Sequence, residues 1–123
     1  MAKTPRRKIK DKLSKLTKQL VRERDGYRCQ KCNKFLVGQN CHVSHVKSVG
    51  AYPHLEFDLL NMKVLCFRCH IMWWHKEPLE AGEWFKNKFP KRYEYLEKEK
   101  NNLVSRSVKD LEELYEAQNA KMG

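Results

Sequence analysis

Long hydrophobic runs are missing from this chain of 123 residues: no apolar stretch approaches the roughly 20 residues that cross a bilayer. The basic start has no apolar segment behind it, so neither a secretory leader nor a membrane protein is expected. Glycine and proline are scarce, five and four residues, which excludes a collagen-like or low-complexity tract. At 41% hydrophobic residues the chain is too apolar for a wholly disordered polycation, and its length suits one domain with helical extensions. Acidic residues are scarce where bases are dense. Residues 1–34 carry 13 Lys/Arg against 3 Asp/Glu, residues 35–76 carry 4 against 2, and residues 77–123 carry 9 against 10. Nearly all of the net +11 therefore sits in the first quarter. Such a concentration suits a polyanionic partner, because clustered cations displace the counterions of phosphates. A solvated basic helix or tail is the plainer account of the charge alone, and a membrane surface fits less well.

What is present divides into three stretches: a basic N-terminal helical extension over residues 1–26, a core over 27–88 and a helical tail over 89–123. Met1–Lys8 reads as mobile. From Ile9 the apolar positions Ile9, Leu13, Leu16 and Leu20, joined by Val21, fall at helical spacing, and the helix should stop at Asp25-Gly26. Its opposite face carries Lys10, Lys12, Lys15 and Lys18, the candidates for nucleic-acid contact. Asn40–Lys47 and Asn61–Cys66 read as short extended arms joined by the long connection Ser48–Leu60. A helix should begin near Cys69. Pro78 and Pro90 mark later starts or breaks, and Ser107 with Asp110 resembles a helix cap whose tail either packs back or dimerises.

The cysteines carry the strongest local signal. Cys29, Cys32, Cys66 and Cys69 stand as C-x2-C-x33-C-x2-C, a spacing that lets two knuckles close a tetrahedral sulfur shell. Structural Zn2+ is the default occupant, in a reducing compartment. Such a closed shell braces the fold and leaves no coordination position for hydrolysis. Cys41, the fifth, reads as a buried free thiol.

All five histidines fall within 34 residues of one another, from His42 to His75. The order Cys29-x-x-Cys32, His45, Asn61, Cys66-x-x-Cys69-His70 resembles the HNH endonucleases that carry a zinc-knuckle frame, closest to small phage-type members including phage recombination nucleases. The resemblance covers about residues 24–86. It implies a small α+β fold, a ββα-metal (His-Me finger) core braced by a four-cysteine zinc knuckle, flanked by the basic helix and the C-terminal helices. It implies a metal-dependent DNA endonuclease, phage-encoded and acting in recombination or DNA processing in the cytoplasm of a bacterial host. By the same resemblance His45 is the general base, Asn61 holds it in place, and His70 ligates a catalytic divalent ion, Mg2+ or Mn2+, with Zn2+ and Ni2+ as further options.

One departure stands out. Many such nucleases place an acidic residue or histidine directly before the base, and here that position is Ser44, a poor ligand. His42 and His75 are the substitutes on offer. Strand alternation puts His42 opposite His45, and His75 follows His70 by five positions where four would suit an α-helix better. Asp58 reads as a loop acid or cap. Lys47, Lys63, Arg68 and Lys76 are candidate phosphate contacts, which position DNA without reading its sequence. Trp73 and Trp74, being adjacent, either both pack or divide between core and groove. The expected partner is DNA, double-stranded or branched, with RNA and a homodimer left open and no membrane. Two other readings compete: a non-catalytic zinc module that binds DNA, and a structural or protein-interaction domain.

Overall fold

A computed structural model describes residues 2–122. Helix α1 spans Pro5–Arg24. The Thr4 hydroxyl caps it by accepting the Arg7 amide at 3.1 Å, and Pro5 occupies the first turn, where a missing amide costs nothing. The helix thus starts ahead of Ile9, inside the stretch expected to be mobile, because its start is set by the cap and not by the first apolar residue. Its buried ridge is Ile9, Leu13, Thr17 and Val21, in steps of four; Leu16 and Leu20, expected on it, are only half-buried. Thr17 is tolerated inside because its hydroxyl donates to the Leu13 carbonyl at 2.8 Å. The helix ends where expected, at Asp25, followed by left-handed Gly26 (φ +64°) and Tyr27 (φ +56°). The Asp25 carboxylate then accepts the Val64 amide at 2.9 Å, tying the helix end to the sheet.

The sheet has two antiparallel strands, β1 (His42–His45) and β2 (Met62–Leu65), with His42 opposite Leu65, Ser44 opposite Lys63 and His45 opposite Met62. Two strands alone are marginal in water. Here β2 is buried at all four positions, beneath a core of Val21, Leu36, Met62, Val64 and Leu65 that also holds four of the cysteines. A π-helix, Arg68–Trp74, follows β2.

The remaining α-helices are α2 (Pro78–Lys88), α3 (Pro90–Glu99) and α4 (Val108–Asn119). Prolines open α2 and α3, and the Ser107–Asp110 capping box opens α4, as the sequence suggests. Leu55, Phe85 and Leu96 gather α2, α3 and the long connection into a second core. Leu111 carries α4 onto Ile9, Leu13 and Phe57, so the tail packs back on α1. Each such buried Leu or Phe contributes about 1.5–3 kcal/mol. The molecule is a small α+β protein, and none of its described helices is long and apolar enough to cross a membrane.

Candidate metal centre and histidine hollow

The first cysteine knuckle is a miniature hairpin. Arg28 bridges Phe35, the Cys29 amide donates to the Lys34 carbonyl at 2.9 Å, and Asn33 turns the chain at φ +65°. The second knuckle straddles the end of β2 and the first turn of the π-helix. Together they bring the sulfurs of Cys29, Cys32, Cys66 and Cys69 within 4.8 Å of one another, with Cys32 and Cys66 3.9 Å apart. A tetrahedral zinc with Zn–S near 2.3 Å separates its sulfurs by about 3.8 Å, so the set fits that ion. Each knuckle turns an amide onto its leading sulfur: Cys32 N–H to Cys29 Sγ at 3.5 Å and Cys69 N–H to Cys66 Sγ at 3.4 Å. Burial raises the Cys29 thiol, yet amides of Cys32, Cys66 and Lys31 outweigh it and hold the group down to about 7. Burial and the neighbouring sulfurs push Cys32 and Cys69 up. Four crowded thiols of this kind cannot ionise together without a cation between them. The cluster can hold a structural metal such as zinc. Cys41 lies outside it, buried, with its thiol raised by burial.

The histidines form a second, looser constellation. His42 Nδ1 lies 3.0 Å from His70 Nδ1, and His75 Nε2 lies 3.1 Å from His70 Nε2. His70 therefore meets its two neighbours through opposite ring nitrogens. One ion can use either pair and not both. The five-residue spacing that suits an α-helix poorly suits this backbone: the His75 amide donates to the His70 carbonyl at 3.1 Å, one π-helical turn. Burial, then the neighbouring His75 and His42, push His70 down to about 4, leaving a neutral ring whose one lone pair faces a neighbouring histidine. His75 is exposed and His42 half-buried.

His45, at the end of β1, lines an open hollow of about 380 Å³ together with His70, His75, Ser48, Trp74 and Pro78. Its Nε2 lies 2.9 Å from the Glu56 carbonyl oxygen. A carbonyl only accepts, so Nε2 carries the hydrogen and Nδ1 keeps the lone pair. Burial moves this histidine below its ordinary range, against the pull of Glu56, so the ring is neutral at neutral pH.

Asn61 is the anchor of this arrangement. It is fully buried, its Oδ1 accepts the Lys47 amide at 2.7 Å, and its Nδ2 donates to the carbonyls of Lys47 (3.0 Å) and Leu55 (3.1 Å). Lys47 lies two residues beyond His45, and Leu55 one residue before Glu56. Asn61 thus holds both the strand end that carries His45 and the segment whose carbonyl orients it, through hydrogen bonds to backbone and none to the imidazole.

Lys63 corrects the list of phosphate contacts. It is fully buried, its Nζ donates to Ser44 Oγ at 3.1 Å, and it sits 3.2 Å from the centre of the Trp74 ring. Burial drives its amine well below the usual lysine range. Ser44 is 1% exposed, turned toward Lys63, and offers nothing to the hollow. Lys47 pairs with Glu97, and Lys10 pairs with Glu56 at 3.3 Å. Lys12, Lys15, Arg68 and Lys76 are exposed and Lys18 is half-buried, all open to an anion. Asp58 caps the turn Leu59–Asn61 and accepts the Tyr95 hydroxyl, as a loop acid should. Both tryptophans pack: Trp73 against Trp84 while donating to Glu80 at 2.7 Å, and Trp74 against Phe85.

Two arginines that sequence reasoning passes over brace the same turn. Arg24 donates to the carbonyls of Leu59 and Met62, both at 2.6 Å, and Arg92 to those of Leu60 (3.1 Å) and Met62 (2.7 Å). Nothing in their local sequence marks them. Compared with models of protein families, with curated proteins and with solved structures, the chain matches none.

Proposed function

We propose that the protein is a metal-dependent DNA endonuclease of the HNH type, with β1, β2 and the π-helix as its ββα-metal core. The observation that carries this is the 2.9 Å contact of His45 Nε2 with the Glu56 carbonyl, which spends the Nε2–H and leaves Nδ1 as the base of a histidine that lines a hollow with His70 and His75. Held neutral by burial, that nitrogen accepts the proton of a water attacking a phosphodiester. Asn61 fixes the base by fixing both backbone segments around it. His70, with His75 or His42, would hold a divalent ion, which would supply charge neutralisation on the phosphate and the leaving 3′ oxygen. The exposed cations Lys12, Lys15, Arg68 and Lys76 would meet flanking phosphates.

A second reading, a zinc module that binds DNA without cutting it, is favoured by one observation. Ser44, which precedes the base, is sealed beneath Lys63, so the hollow has no acidic ligand beside His45. Supercoiled plasmid with Mg2+ or Mn2+ decides between them. The nuclease nicks it, EDTA stops the cutting, and His45→Ala lowers the rate by about 10²–10⁴, the usual worth of a general base. Cutting that survives His45→Ala removes the assigned base, and intact binding with no cutting leaves the module.

A further inference from the structure

We propose that a pocket beside the hollow receives one unstacked nucleobase of the strand being cut. The inference rests on the nuclease reading for where that strand runs. The pocket holds about 190 Å³, below the roughly 300–1,000 Å³ of sites for drug-sized ligands, and suits a single ring system. The half-buried rings of Trp74 and Tyr93 line it over a floor of buried Phe85 and Leu96, and such aromatic walls stack bases without regard to sequence. Lys47, paired with Glu97, supplies a polar edge. The pocket shares Val46, Trp74 and Pro78 with the hollow of His45, His70 and His75, so the two adjoin. A phosphate at His45 therefore lies next to a compartment of base size.

Gly82 supports the same conclusion. It sits inside α2, where glycine costs about 1 kcal/mol relative to alanine, and it lines this pocket. Its backbone has no left-handed φ, and a Cβ added there meets nothing within 4 Å. Neither conformation nor close packing demands glycine at this position. What its missing side chain leaves is open room at the pocket. Fully paired DNA keeps its bases stacked and cannot fill it, so the favoured substrate carries an unpaired nucleotide next to the cut.

The test compares two duplexes, one with a single bulged nucleotide and one with an abasic residue at the same bulge. Zinc-loaded His45→Ala protein is used, so that the probe stays whole. The base-bearing bulge should bind about tenfold more tightly, within the range that aromatic stacking supplies. A 2-aminopurine at the bulge should change its fluorescence on binding. Gly82→Leu, which adds a side chain at a residue that lines the pocket, should bring the ratio close to one without lowering the melting temperature. Tyr93→Ala should bring it close to one by removing a wall, at some cost in melting temperature because Tyr93 packs on the second core. A ratio near one in the starting protein, or a tenfold ratio that survives both variants, overturns the pocket. The plasmid assay keeps the two readings apart. A base-dependent ratio that collapses in the variants, with no nicking, leaves a base-binding module; His45-dependent nicking with a ratio near one removes the pocket alone.

Discussion

The cysteine cluster and the histidine hollow lie close together and are built in opposite ways. Each cysteine pair is made by its own turn, with an amide of that turn aimed at its leading sulfur, and the two pairs close on one point. Of the histidines, His42 at a strand start and His75 just past the π-helix meet opposite ring nitrogens of His70, while His45 at the strand end pairs with none of them. His45 is oriented by the Glu56 carbonyl, 11 residues away across the long connection, while His75 is presented by the π-helical turn that the His70 carbonyl closes. A centre that holds structure is thus encoded locally and closed. A centre open to chemistry is held by tertiary contacts and keeps positions free for water, metal and substrate.

The largest expected effect breaks the closed half. Structural zinc contributes about 10–16 kcal/mol in small zinc domains, as much as or more than the roughly 5–15 kcal/mol of net stability of an ordinary domain. Chelation, or Cys66→Ser, should abolish the cooperative thermal transition and most of the helical circular dichroism. His75→Ala, at an exposed ring, should leave the transition in place, within about 0.5 kcal/mol. A chelated protein that still melts cooperatively would show that the four cysteines do not organise this fold, and the contrast between the two centres would fail.

Asn61→Ala sharpens the comparison with a smaller effect. It strips partners from the Lys47 amide and from the carbonyls of Lys47 and Leu55 in a fully buried place. Each buried group left unpaired costs about 1–3 kcal/mol, so the unfolding midpoint should drop clearly while the zinc-bound fold persists. The nicking rate should fall further than stability explains, because the base and the carbonyl that orients it lose their common anchor. Asn61→Asp keeps an acceptor for the amide but sets a buried carboxylate oxygen against the carbonyls of Lys47 and Leu55, so it should do no better than alanine. Stability that drops with the nicking rate of the folded fraction unchanged would remove Asn61 as a positioning residue.

What could be read from the sequence follows the same division. The cysteine spacing, the Asp25-Gly26 stop, the capping box at Ser107 and the proline start of α2 depend on a few neighbouring residues and stand where expected, while Pro90, expected as a break, follows the end of α2 and opens α3. The turn of the ridge on α1 depends on what packs against it, and Thr17 takes the place assigned to Leu16 and Leu20. Lys63 reads as a surface cation because a strand lysine ordinarily is one; only the Trp74 ring above it and Ser44 opposite it make it interior. The π-helical turn that makes a five-residue histidine spacing favourable has no local signature. His45 and Asn61 are legible as residue types. The link between them runs through backbone atoms of Lys47, Leu55 and Glu56, whose side chains announce nothing.

The smallest expected effect concerns pH, and it separates the base from the ligands within the open half. Burial lowers His45 in the folded protein relative to the usual value of 6.5, and the form that can accept a proton is the neutral one. The nicking rate should therefore rise with pH through a midpoint below 6.5 and then level off. The same shift acts on stability: between the folded midpoint and 6.5 the unfolded chain binds more protons, so the protein loses stability as pH falls through that window. His70, pushed down to about 4, would add an acid limb of its own if protonation there expelled a bound ion. The two limbs respond differently to metal. A limb from a ligand moves to lower pH as the metal concentration rises, because metal competes with protons for the nitrogen, whereas a limb from the base stays where it is. At saturating Mg2+ or Mn2+ the remaining midpoint should lie below 6.5 and vanish in whatever slow cutting His45→Ala retains. A midpoint at or above 6.5 under those conditions would mean that burial does not set the protonation of His45, and the tautomer held by the Glu56 carbonyl would no longer identify the base.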